Sequence, residues 1–150
     1  MSIVVHLFKN YIKGSSKKAI VQLVEVNLCH FTSAVIRGVG LPCNKVYLNT
    51  RVLKHLYDKR PAEEFDFMTE NIINVVKYPN KIYKNKDGKR GSLCFIKEIK
   101  NSRYLVSLET IYDDKKTATH CEVATFFRVD EKYLASYELL WKWEDGTPPS

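Results

Sequence analysis

The sequence predicts an α+β fold. Helices pack on one face of a four-stranded antiparallel sheet, and additional β-strands precede this core at the N-terminus. Three observations predict it. Two segments keep a helical apolar period between residues 50 and 79. Four strand-like segments then follow one another through short polar turns, as an antiparallel meander does. A last amphipathic segment resumes the helical period before a polar tail. The 150 residues suit one domain. It divides into a β-rich subregion over 1–44, a core over 45–142 and a tail over 143–150.

Residues 3–8 (IVVHLF) and 19–28 (AIVQLVEVNL) read as strands joined by a polar loop, and 31–37 as a third, short one. Gly38, Gly40 and Pro42 then interrupt the pattern. A helix is expected over 50–59, capped by Asn49 or Thr50, with Val52, Leu53 and Leu56 inward. Pro61 stops it and starts a second helix. Glu63, Glu64 and Asp66 favour the positive end of that helix, and Pro79 closes it. Strands follow at 81–85, 93–99, 104–110 and 119–128, with Asp87-Gly88 as the first turn. The spacing of Tyr133, Leu134, Tyr137, Leu140 and Trp141 predicts a final helix over 131–141.

Charge is concentrated in one place. Residues 77–103 hold nine Lys/Arg and two acids, a net +7, which equals the charge of the whole chain. A cationic segment of this kind suits a polyanion. Lys84, Lys86, Lys89 and Arg90 are candidates for neutralising phosphates. Tyr83 and Tyr104 are candidates for base stacking. The alternative is a solvated charged hairpin. Cys29, Cys43, Cys94 and Cys121 are scattered without CxxC spacing, and read as buried free thiols of a reducing, cytoplasmic compartment. A zinc site from Cys29, His30, His120 and Cys121 lacks finger spacing. No apolar run reaches the length of a membrane span, and the N-terminus lacks the marks of a signal peptide.

Arg51, His55 and Lys59 fall at i, i+4 and i+8, on one polar helix face. His55, as an imidazole, can give or take a proton near neutrality, or be an ordinary surface histidine. Lys97 interrupts the apolar series Leu93, Phe95, Ile99, and Glu109 shares a strand face with Leu105 and Ser107. These charges call for a partner or a purpose, and a cross-strand Lys97–Glu109 ion pair would supply the first. Thr125 is placed to share a face with Thr119, Cys121, Val123 and Phe127, and its hydroxyl could hold a phosphate oxygen. Arg128 has the opposite parity and converges with Thr125 only through a bulge.

The segments RVLKHLYDKRPAEEFDFM, YPNKIYKNKDGKRGSLCFIKEI, YLVSLET and CEVATFFRVDEKYL together resemble the phage-associated branch of the barnase–EndoU–colicin–RelE-like nucleases, over residues 45–142. The resemblance implies helices followed by a four-stranded antiparallel sheet, and metal-independent cleavage of RNA without a cofactor. In that chemistry the ribose 2′-OH attacks the phosphate and leaves a 2′,3′-cyclic product. It implies roles for His55 as acid or base, Glu109 as its counterpart, Lys97 and Arg128 as charge stabilisers, and Thr125 as a phosphate ligand. RNA is the expected partner, with Arg51 and Lys59 beside the basic loop, and a toxin with a cognate antitoxin or immunity protein is one setting for it. A non-catalytic nucleic-acid-binding module and a protein-interaction domain are the competing classes.

Overall fold

The computed structural model describes residues 2–86 and 92–143. The expected Asp87-Gly88 turn, Lys89, Arg90 and residues 144–150 of the tail lie outside the described residues. In chain order the elements are α1 (Ile3–Tyr11), β1 (Glu25–His30), α2 (Ser33–Val39), β2 (Lys45–Asn49), α3 (Thr50–Lys59) and α4 (Ala62–Lys77). There follow β3 (Lys81–Lys84), β4 (Leu93–Ile99), β5 (Ser102–Tyr112), β6 (Ala118–Val129), α5 (Glu131–Leu134) and β7 (Glu138–Lys142). The fold is α+β, but its sheet has seven strands in the order β1-β2-β6-β5-β4-β3-β7, not four. The expected meander forms its middle, β6-β5-β4-β3, and is antiparallel throughout. β2 lies parallel to β6, with Val46 opposite Cys121 and Tyr47 opposite Glu122.

The segments with long, clean periods form as expected. Asn49 Oδ1 accepts from the Val52 N–H at 2.9 Å and caps α3. In α4, Phe65, Met68, Ile72, Val75 and Val76 form the buried stripe. They pack with Phe95, Val106, Leu108 and Phe126 of the sheet in one core that also takes in Val4, Leu7 and Ile12. Each such side chain adds roughly 1.5–3 kcal/mol through its burial.

Four expectations are corrected. Residues 3–8 are helical, not extended. Ser2 Oγ accepts from Val5 N at 3.2 Å, and Val4 and Leu7 turn inward while Phe8 stacks on Tyr57 and Phe65 at 5.2 Å. A six-residue apolar run fits either period, and here the neighbouring helices decide it. Residues 31–37 are likewise mostly helix α2, capped by Thr32 and stopped by Gly40 at φ +77°. Residues 19–24 are irregular, and only Glu25–His30 is strand. The final helix is a single turn. Asp130 caps it at 2.9 Å, and the chain then reverses into β7, which pairs with β3 through Ile82↔Trp141 and Lys84↔Glu138. Trp141 packs so closely on α2 that a Cβ at Gly38 would lie 2.0 Å from its Nε1. Among the described residues no helix is long and apolar enough to cross a membrane.

A cleft with two unsatisfied donors

The sheet has one face under α1 and α4 and an opposite face that these helices leave uncovered. A bulge in β6 decides which side chains reach the second face. Ser107 pairs with Thr125, but Leu108 pairs with Val123, so β6 carries one extra residue between the two pairs. Cys121, Val123 and Phe126 therefore belong to the helix-side core, while Thr125 and Phe127 face the other way. The expectation that Thr125 shares a face with Cys121 and Val123 is corrected by this one residue.

A cleft of about 420 Å³ opens on that second face. Ser107 and Thr125 lie on its floor with Cys94, Leu105 and Phe127. His55, Lys59 and Arg60 close one side, and Asn85 and Tyr133 also line it. Helix α3 delivers the first two because His55 and Lys59 lie one turn apart. Arg60 arrives differently. Pro61 disfavours helical backbone at the preceding residue, and Arg60 leaves the helix at φ −107°, ψ 147°.

The polar atoms of this cleft are not balanced. Among the described residues three buried side-chain atoms lack a hydrogen-bond partner: Ser15 Oγ, Arg60 Nε and Ser107 Oγ. Two of the three line the cleft. Ser107 is 1% exposed and Thr125 8%. A buried hydroxyl or guanidinium N–H left unpaired costs about 1–3 kcal/mol. Both residues line the cleft, which makes an anion seated in it a candidate partner for these donors. Ser107 and Arg60 were not singled out from the sequence. The signals were modest: a serine in an alternating apolar strand, and an arginine set free of the helix by the proline after it.

Other expected site residues lie elsewhere. Lys97 is on the helix-covered face with Phe95, is 9% exposed, and donates from Nζ to the Tyr78 carbonyl at 2.7 Å, beyond the end of α4. Burial holds its pKa below the ordinary lysine value. The apolar face that Lys97 interrupts is the one the helices cover, so Lys97 does not reach the cleft. Its strand partner is Tyr104, not Glu109. Tyr104 in turn pairs with Arg128 and stacks on Phe67 of α4 at 4.9 Å. Arg128 thus sits in the same helix-side row, exposed, and Tyr104 is too buried to serve as a base platform. Glu109 is exposed opposite Glu122, outside the cleft lining.

Arg51 is exposed and, with His55, lines a neighbouring hollow. Tyr83 lines a second hollow of about 550 Å³ on the far side of α5. Lys84 is exposed, and Lys86 Nζ donates to Ser136 Oγ at 2.9 Å. Cys121 is buried 3.4 Å from Cys43, and desolvation pushes its thiol up to about 12. Burial likewise raises Cys29 to about 11. Both stay protonated at neutral pH, as buried free thiols do.

The family model described as phage-Barnase-EndoU-ColicinE5/D-RelE like nuclease3 matches residues 30–136. The chain belongs to this nuclease family. The match takes in α2 and β2 as well as the helices and meander that carry the cleft. No curated protein and no solved structure matches the chain.

Proposed function

We propose that the protein is a metal-independent endoribonuclease whose reacting phosphate binds between Ser107, Thr125 and Arg60. The observation that carries this reading is the pair of buried donors without partners, Ser107 Oγ and Arg60 Nε, in a cleft that also holds His55. Family membership supports nuclease chemistry. The residues support cleavage by the substrate's own 2′-OH.

His55 takes the proton of the attacking 2′-OH, since its imidazole can hold a proton near neutrality. The phosphorane that follows gains negative charge on its non-bridging oxygens. Arg60 meets it with a planar fork of donors, and Lys59 adds a second cation at the rim. The hydroxyls of Ser107 and Thr125 donate to the same oxygens. The 5′-oxygen leaves with a proton from His55 or water, and the other product ends in a 2′,3′-cyclic phosphate. Tyr133, 45% exposed at the cleft edge and packed edge-on to Phe127 at 5.6 Å, offers a ring to an unpaired base.

The test is cleavage of RNA in excess EDTA by the parent, His55→Ala and Arg60→Ala proteins. The parent is expected to cut, and each substitution to slow it at least about 100-fold. RNA bound tightly by all three and cut by none would point instead to a non-catalytic binding module.

A further inference from the structure

The β1 end of the sheet carries a second cluster, none of whose residues lines the cleft. His120 and Glu122 alternate along β6 and so point to one face. Glu25 reaches them from β1, across β2. One oxygen of each carboxylate and one ring nitrogen of His120 all lie within 4.8 Å of one another.

Surface carboxylates alone would mean little here. The imidazole changes the reading, because groups outside the cluster hold it. The Thr119 hydroxyl donates to the Ile111 carbonyl at 3.3 Å, and its oxygen lies 2.9 Å from His120 Nδ1. With its hydrogen given to Ile111, that oxygen accepts from Nδ1–H. The Tyr47 ring stacks 4.6 Å from the imidazole. Nε2 lies 3.3 Å from Glu122 Oε1, in reach of an ion pair when the ring carries both protons. With Nδ1 held by Thr119, the position between Nε2 and that oxygen takes either a proton or a metal ion. A spacing of 3.3 Å is also the edge of a coordination shell whose metal–ligand bonds are roughly 2.0–2.2 Å. A metal-bound histidine usually donates its other ring N–H to an acceptor outside the coordination shell, and the Thr119 oxygen is placed as such an acceptor.

We propose that Glu25, His120 and Glu122 form a divalent-cation site suited to Zn²⁺. One imidazole and two carboxylates fit zinc, whereas Mg²⁺ and Ca²⁺ favour oxygen ligands alone. Three protein ligands leave a position for water. The ion ties the edge strand β1 to β6 over the intervening β2. This site is independent of the RNA reading and takes no part in the cleavage step.

The experiment is calorimetric titration of the full chain with zinc chloride, magnesium chloride and calcium chloride, run on the parent, His120→Ala and Glu122→Gln proteins. Circular dichroism without metal checks that each variant keeps the parent's fold. The parent is expected to bind one Zn²⁺ per chain in the micromolar range, far more tightly than Mg²⁺ or Ca²⁺. Each substitution should weaken Zn²⁺ at least about tenfold, and Zn²⁺ should raise the unfolding temperature of the parent but not of His120→Ala. Four cysteines are potential competitors, so Co²⁺ provides a second readout. Visible cobalt bands without a near-ultraviolet thiolate charge-transfer band support the site. A thiolate band, zinc affinity unchanged by both substitutions, or parent binding no tighter than about millimolar would overturn it.

Discussion

Ser107→Ala should make the protein more stable and less active at once. Ser107 is 1% exposed and its Oγ has no hydrogen-bond partner. Burying an unpaired hydroxyl costs about 1–3 kcal/mol, and alanine removes that cost at the expense of one atom of packing. A net gain of about 0.5–2 kcal/mol is expected, and each kilocalorie corresponds to a rise of roughly 2–4 °C in Tm for a chain of this size. In the proposed mechanism the hydroxyl contributes instead to binding phosphate. A hydrogen bond to a charged group is worth about 1.5–3 kcal/mol, a loss of roughly 10- to 150-fold in kcat/KM. Urea denaturation measures the first effect and RNA cleavage in EDTA the second. A variant destabilised by more than about 1 kcal/mol would show that the hydroxyl has a structural partner. A more stable variant of undiminished activity would show that it does not touch the phosphate.

Three further outcomes follow from the packing. Lys97→Met should leave RNA cleavage within about threefold of the parent, because Lys97 lies on the helix side of the sheet and a hydrophobic replacement for a buried charge is often well tolerated; a loss comparable to that of His55→Ala would return Lys97 to the site. Gly38→Ala should destabilise the protein by about 1–3 kcal/mol and shift tryptophan fluorescence, since the new methyl group meets the Trp141 indole; unchanged stability and emission would contradict that contact. Asp58→Asn should cost about 2 kcal/mol at neutral pH, because the nearly buried Lys54 ammonium donates to Asp58 and loses its charged partner. That hydrogen bond holds the Asp58 pKa below its ordinary 3.8. The contribution is therefore complete above pH 3.8 and fades as pH falls through the lower, folded-state value, so denaturation curves of parent and variant should converge in acid.

Legibility in the sequence followed the length of the pattern. Helices α3 and α4 and the longer meander strands have enough residues to fix a period, and Asn49 and Pro61 mark the starts of the two helices by backbone chemistry. Helices α1 and α2 are short apolar runs, whose conformation is set by what they pack against. Strand β2 is five residues between the Gly/Pro break and the helix cap, too short a run to fix a period. Strand β7 was hidden inside an amphipathic segment that the edge of β3 captured. The lining of the candidate cleft divided in the same way. His55 and Lys59 were visible because helical spacing puts both on one polar face. Parity along a strand identifies which residues share a side, but not which side the helices cover, and Lys97 was lost to that ambiguity. Thr125 reached the cleft through a bulge that no turn residue announces. Arg60 and Ser107 stand out only when burial and hydrogen bonding can be counted together.

The most direct measurement uses an oligoribonucleotide that the protein cuts at one position, compared with the same strand carrying a single 2′-deoxyribose there, both in EDTA. The account predicts that the all-ribose strand yields a 2′,3′-cyclic phosphate end, and that the deoxy-substituted strand binds equally well but stays intact at that bond. Cleavage of the deoxy-substituted strand at a comparable rate, or activity that appears only on adding a divalent metal, would contradict it.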